Sequence, residues 1–221
     1  MIRVTDQVWK DYSRFVLGWE GKGSSDPTDT ASQYVKPGQI HTMRGVIWPT
    51  FKANAKAIGV APTYENFLKL TEAQSNQILY QFYLLCKGDK FQDPIGLSLT
   101  EFTWGSGLGY TQKAIRKAVR SFGYNDIAET GSINAAVIQA ANKINTGALY
   151  QKLWADRKAF LVRIAEVNPS QKKFIKGWLN RWKNFQDKFP NTIKAAGIGI
   201  GILILGAGLF FLIKKRNAKQ P

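Results

Sequence analysis

The chain has 221 residues, 44% hydrophobic and 13% aromatic, which suffices for one packed domain of ordinary size plus an accessory segment. A formal charge of +16 predicts attraction to polyanions, but the basic residues are spread along the chain without an RNP, zinc-finger or basic-zipper pattern, so no specific nucleic-acid partner is expected. One cysteine, Cys86, excludes an internal disulfide, and with one histidine, His41, a Cys/His zinc site would lack ligands; no metal or cofactor is expected.

The first residues, Met1 to Asp6, carry no apolar stretch of the kind a secretory signal needs. Val8, Tyr12, Phe15, Val16 and Trp19 recur at helical spacing, with Thr5 or Asp6 as N-cap. That helix runs into Glu20, where Gly21, Gly23 and Pro27 discourage its continuation, so it delivers a carboxylate to a loop. A general acid needs a rigidly held, partly desolvated carboxyl group with open space beside it, and this stretch can supply all three.

Residues 24–39 are polar and turn-rich, His41 is expected to be solvated or to brace that loop, and 45–51 reads as a short strand or tight turn. Helical patterns follow over 50–57 and 64–70, and from Thr71 through Ile78, Leu79, Phe82, Tyr83 and Cys86; Cys86 reads as a small buried hydrophobe. Leu97 to Trp104 reads as a buried helix and Gly105 to Gly109 as a break. Thr111 to Phe122 is amphipathic, with Lys113, Arg116, Lys117 and Arg120 on an expected solvated face. Helices capped by Ser132 and starting near Gly147 come next, the latter ended by Pro169. Phe174 to Phe189 interleaves Trp178, Trp182 and Phe185 with Lys176, Arg181 and Lys183, a composition that suits either a membrane headgroup region or packing on the domain.

Residues 195–213 form an uninterrupted apolar or glycine run fenced by Lys194 and by Lys214, Lys215 and Arg216, long enough to cross a bilayer. Basic residues on both sides leave its orientation open, and Gly197 and Gly201 are spaced as in self-associating spans. No repeat is visible. The expected fold class is all-α or mainly α, with a C-terminal single-pass transmembrane helix.

Glu20-Gly21-Lys22-Gly23, then Ser25-Asp26-Pro27-Thr28-Asp29 and Thr42-Met43-Arg44-Gly45-Val46-Ile47, resemble the opening of glycoside hydrolase family 108. Phe67 to Thr71, the 78–84 helix and Glu101-Phe102-Thr103-Trp104-Gly105-Ser106-Gly107 resemble its middle in the same order. Residues 109–184, with Ala114 to Ala118, Gly131, Arg157 to Phe160 and Phe174 to Arg181, are similar to the peptidoglycan-binding segment that usually follows.

The resemblance implies a lysozyme-like helical part over 1–108 and a peptidoglycan-binding-like part over 109–190 packed on it; the apolar run adds an anchor with a basic tail over 191–221. It implies a muramidase acting on peptidoglycan between N-acetylmuramic acid and N-acetylglucosamine, with Glu20 as catalytic acid. Asp29 and Thr42 match positions that place or activate a water, and Asp26, Thr42, Glu101, Trp104 and Ser106 are the candidate substrate-binding residues. Trp104 either lines sugar subsites or fills the core. The stretch from Thr30 to His41 departs from the family pattern, and Glu101 and Gly105 stand where the family has aspartate and asparagine.

Such departures leave open a lytic transglycosylase that needs only the acid, or a binder without activity; inversion against retention also stays open. Residues 195–213 are expected to engage a lipid membrane. An enzyme acting on the wall with its apolar span at the far end would fit the internal membrane of a lipid-containing phage, or a host membrane during lysis.

Overall fold

The computed structural model describes residues 2–3 and 5–190; the apolar run at 195–213 lies outside the described residues. Among the described residues no helix is long and apolar enough to cross a membrane. The chain is mainly helical. Its eight α-helices of the described part are α1 (Gln7–Gly18), α2 (Trp48–Asn54), α3 (Tyr64–Leu68), α4 (Glu72–Leu85), α5 (Ile95–Arg120), α6 (Ala135–Lys143), α7 (Thr146–Val167) and α8 (Ile175–Lys188).

Helix α1 buries Trp9, Tyr12, Phe15 and Val16, residues that a 100° step brings to one face. Trp19, expected on that stripe, is instead 38% exposed, because the helix ends at Gly18 and the indole follows the turn outward. Helix α4 opens with a capping box in which the Thr71 hydroxyl accepts from the Gln74 N–H and the Gln74 side chain accepts from Thr71. Cys86 is buried, as expected of a small hydrophobe.

A small antiparallel sheet, too short to register as alternation in sequence, joins β1 (Gly23–Ser24), β2 (Thr42–Met43) and β3 (Val46–Ile47) in that order. Arg44 and Gly45 form the turn between β2 and β3, both at positive φ (47° and 77°), as a tight two-residue hairpin requires.

The long helix α5 is broken at Gly107 (φ 79°, ψ 161°), the midpoint of the expected 105–109 break. The helix capped in sequence by Ser132 begins later, at Ala135, with the Asn134 side chain accepting from the Val137 N–H. Arg116, expected on a solvated face, is buried and donates to the carbonyls of Ala128, Gly131 and Ser132, so it pins the loop before α6. Helix α8 packs on the domain: Phe185 is fully buried, stacks on Trp154 at 4.5 Å, and Trp182 donates to the Trp154 carbonyl at 2.8 Å.

Two apolar clusters result. The larger unites α1, α4, α5, α6, α7 and α8 through residues such as Tyr12, Leu99, Phe102, Leu153, Trp154 and Phe185. The smaller gathers Val46, Phe51, Phe67 and Ile78 beneath the sheet, and half-buried Trp104 packs against both. The site is built where the two meet.

Candidate active site

Glu20 lies two residues beyond α1, which is anchored in the larger core by Trp9 and Tyr12. The β2–β3 turn rises against it so closely that a Cβ added at Gly45 would sit 2.7 Å from the Glu20 Cδ. Only glycine satisfies both that approach and a φ of 77°. The carboxylate is one-fifth exposed, and its Oε1 accepts from Trp104 Nε1 at 3.1 Å and from Arg181 Nη1 at 2.6 Å. No hydrogen bond to Oε2 is formed among the described residues, so one oxygen is clamped and the other is open beside the Gly45 turn.

Arg181 holds Glu101 as well, through Nε to Oε1 at 2.6 Å and Nη2 to Oε2 at 3.0 Å, a two-point pairing suited to a planar guanidinium. Burial works against the Arg181 charge, but Glu101 and then Glu20 outweigh it and push the pKa above the ordinary arginine range. Glu101 is only 6% exposed with both oxygens on Arg181, which makes it a buttress for the cation that holds Glu20.

Asp29 caps the short 3-10 turn Thr30–Tyr34 by accepting from the Ala31 N–H at 2.8 Å through Oδ1. Asp26 accepts from the N–H and hydroxyl of Thr28 and from Lys173 Nζ at 2.8 Å. The hydrogen bonds from Lys173, then Thr28, hold its pKa well below the usual carboxylate range. His41 is buried and braces the loop, with Nδ1 bonded to Thr42 Oγ1 (2.8 Å) and Nε2 to the Asp26 carbonyl (3.1 Å). Thr42 is thereby oriented in β2, opposite Ser24. Ser106 accepts from Arg157 Nη1 at 2.7 Å.

The structure therefore joins Glu20, Trp104, Glu101 and Arg181 by direct contacts, links Thr42 with Asp26 through His41, and leaves Asp29 as the cap of its own turn. Sequence reasoning treated Arg181 only as part of a basic stretch. The Arg181–Glu20 contact spans 161 positions, and no local spacing announces it. Among the described residues no group of His, Cys, Asp and Glu could hold a metal ion.

Residues 13–107 match the family model for glycosyl hydrolase 108, and residues 110–183 match that of a predicted peptidoglycan domain. The boundary falls at the Gly107 break. No curated protein matches the chain. The solved structure of Brucella abortus SagA is similar, with a TM-score of 0.63 and 20% identity over 82% of this chain and 92% of that one, a likeness that speaks to fold alone. Lying end to end over most of the described chain, the two matches support a peptidoglycan hydrolase, with likeness to glycosyl hydrolase 108 over residues 13–107.

Proposed function

We propose that the chain is a muramidase that cleaves the glycosidic bond between N-acetylmuramic acid and N-acetylglucosamine, with Glu20 as general acid. The observation that carries this reading is the asymmetric hold on its carboxyl group: Oε1 is fixed by Arg181 and Trp104 while Oε2 stays unengaged. Oε2 is the oxygen left to pass a proton to a glycosidic oxygen, and the fixed oxygen keeps the group in one orientation.

One guanidinium meets two carboxylates, Glu20 and Glu101, so Arg181 is shared rather than devoted to the proposed acid. Asp29, with Oδ2 left over from its cap, is the carboxylate we assign to a water or to the oxocarbenium-like transition state, since Asp26 is tied to Lys173 and Glu101 to Arg181.

Zymography on purified peptidoglycan is the test. Clearing by wild type and its loss in Glu20→Gln are expected, about 10²–10⁴-fold in rate for a missing general acid; clearing that survives the substitution would sink the assignment. Muropeptides with reducing ends support hydrolysis, whereas 1,6-anhydro ends mark a lytic transglycosylase.

For location, we propose membrane anchoring through residues 195–213, in the internal membrane of a lipid-containing phage or else in the host membrane. The support is the length of the apolar run and its basic flanks. Sedimentation with membranes at high pH should require the segment after residue 190; a shortened chain that still sediments argues against the anchor.

A further inference from the structure

We infer that the cavity between α5, α7 and α8 is a carboxylate-binding pocket for the peptide stem of the glycan strand, with Arg157 as its anion-holding group. The inference rests on the peptidoglycan reading above and adds the part of the polymer that this second site takes.

Arg157 is 7% exposed, yet among the described residues it pairs with no carboxylate. Two other arginines are well supplied: buried Arg116 has three carbonyls, and partly buried Arg181 has three carboxylate contacts. Arg157 has the Ser106 hydroxyl, at 2.7 Å, and the rings of Phe102, Tyr110 and Phe160 at 4.9–5.4 Å. Ring faces offset a buried cation only in part, because desolvating a charge costs more than such contacts return. Burial accordingly pulls the Arg157 pKa down, the reverse of Arg181.

None of the Arg157 nitrogens is among the buried side-chain atoms without a partner in the described residues. Arg157 lines a cavity of about 160 Å³, walled also by Ser106, Leu161, Ile164, Trp178 and Trp182. That space holds several waters, hence a carboxylate with a short aliphatic chain behind it.

The chemistry of the walls favours a peptide carboxylate. A planar guanidinium matches a planar carboxylate at two points, and apolar walls match the methyl and methylene groups of alanine and glutamate residues. Glu101, the acid in the lining, is already neutralised on both oxygens by Arg181. The same Arg181 lines the cavity and grips Glu20, so the pocket stands one side chain from the proposed acid, within reach of a stem that hangs from the muramic sugar.

The probe is the tetrapeptide L-Ala-γ-D-Glu-diaminopimelate-D-Ala, free or with all carboxyls amidated, titrated against full-length protein and read by the fluorescence of the lining tryptophans. The free acid should bind at least about tenfold more tightly than the amide, the order expected for hydrogen bonds to a charged group. Arg157→Gln should erase that difference, and Ile164→Trp, which fills the cavity while keeping Arg157, should abolish binding of both. Equal binding of acid and amide by wild type overturns the pocket whether or not the variants fold. Glu20→Gln should retain acid binding: if the acid binds but no glycan is cleaved by wild type, the pocket stands and the muramidase reading falls. Glycan cleavage without any acid preference has the opposite meaning.

Discussion

Replacing Arg181 by methionine removes the cation that pairs with both Glu20 and Glu101 while keeping most of the apolar stem. In the wild type three short contacts, of 2.6, 2.6 and 3.0 Å, join side chains that are 18% (Arg181), 19% (Glu20) and 8% (Glu101) exposed. Breaking a buried pair by removing one partner costs about 3–5 kcal/mol because a charge is left uncompensated. Glu20 retains some solvent, so the lower end, about 3 kcal/mol, is expected. For a chain of this size that corresponds to a melting point lower by roughly 6–12 °C.

The sign with pH follows from proton binding. Two facing carboxylates without their cation bind protons more readily in the folded variant than in its unfolded chain, so the variant loses stability relative to wild type as pH rises. Calorimetry at pH 7 and pH 4.5 should show the deficit shrinking at the lower value. Adding Glu101→Gln should recover a large part of it at pH 7. A deficit under about 1 kcal/mol at both pH values, the range of exposed pairs, would refute the view of Arg181 as the electrostatic keystone.

Other substitutions probe neighbouring parts. Gly45→Ala places a methyl 2.7 Å from the Glu20 carboxyl carbon at a φ of 77°, so glycan cleavage should fall about 10²-fold, the cost of a misplaced group, with melting lowered as well. Asp29→Asn preserves an N-cap acceptor for the Ala31 N–H, so melting should stay near wild type while reducing-end release falls; unchanged release would remove Asp29 from the chemistry. In wild type the Asp26 carboxyl should titrate below the usual value of about 3.9, and Lys173→Met should move it back up by NMR, since Lys173 is the first cause of the depression.

How far the sequence leads can be seen residue by residue. The helix into Glu20 was legible because aromatic spacing and the following glycines act locally, and so was the Thr71 capping box. Trp19 was misplaced because periodicity alone does not say at which turn a helix ends. Arg116 was read as surface charge, and the helix of Arg181 was left open between a headgroup region and packing on the domain; Arg116 is buried and Arg181 partly buried by partners that only the fold supplies. The strands were too short for period-two alternation to show; residues 45–51 were read as a short strand or tight turn, whereas β1 and β2 were not found. His41 was left as either solvated or a loop brace; it is buried and braces, and its link from Asp26 to Thr42, across 15 positions, needed coordinates.

The division of the chain into two matched segments does not correspond to two independent stabilities. Glu20 belongs to the first segment, but the cation that orients it belongs to α8 in the second, and Lys173, just ahead of α8, ties down Asp26. The packing repeats the pattern: Tyr12 and Phe15 of α1 make edge contacts with Phe185 and Phe189 at 5.7–6.2 Å, and Phe102 meets Trp154 at 5.0 Å. Cutting at the Gly107 break would strip Glu101 of the cation paired with both its oxygens and expose rings from α1 and α5 together. Aromatic burial and charge pairing thus act on the same helix, so the geometry of the acid is inherited from the segment that also forms the Arg157 pocket. An acid held this way is oriented only when the second segment is docked, which couples the two sites through the rigidity of α8 itself.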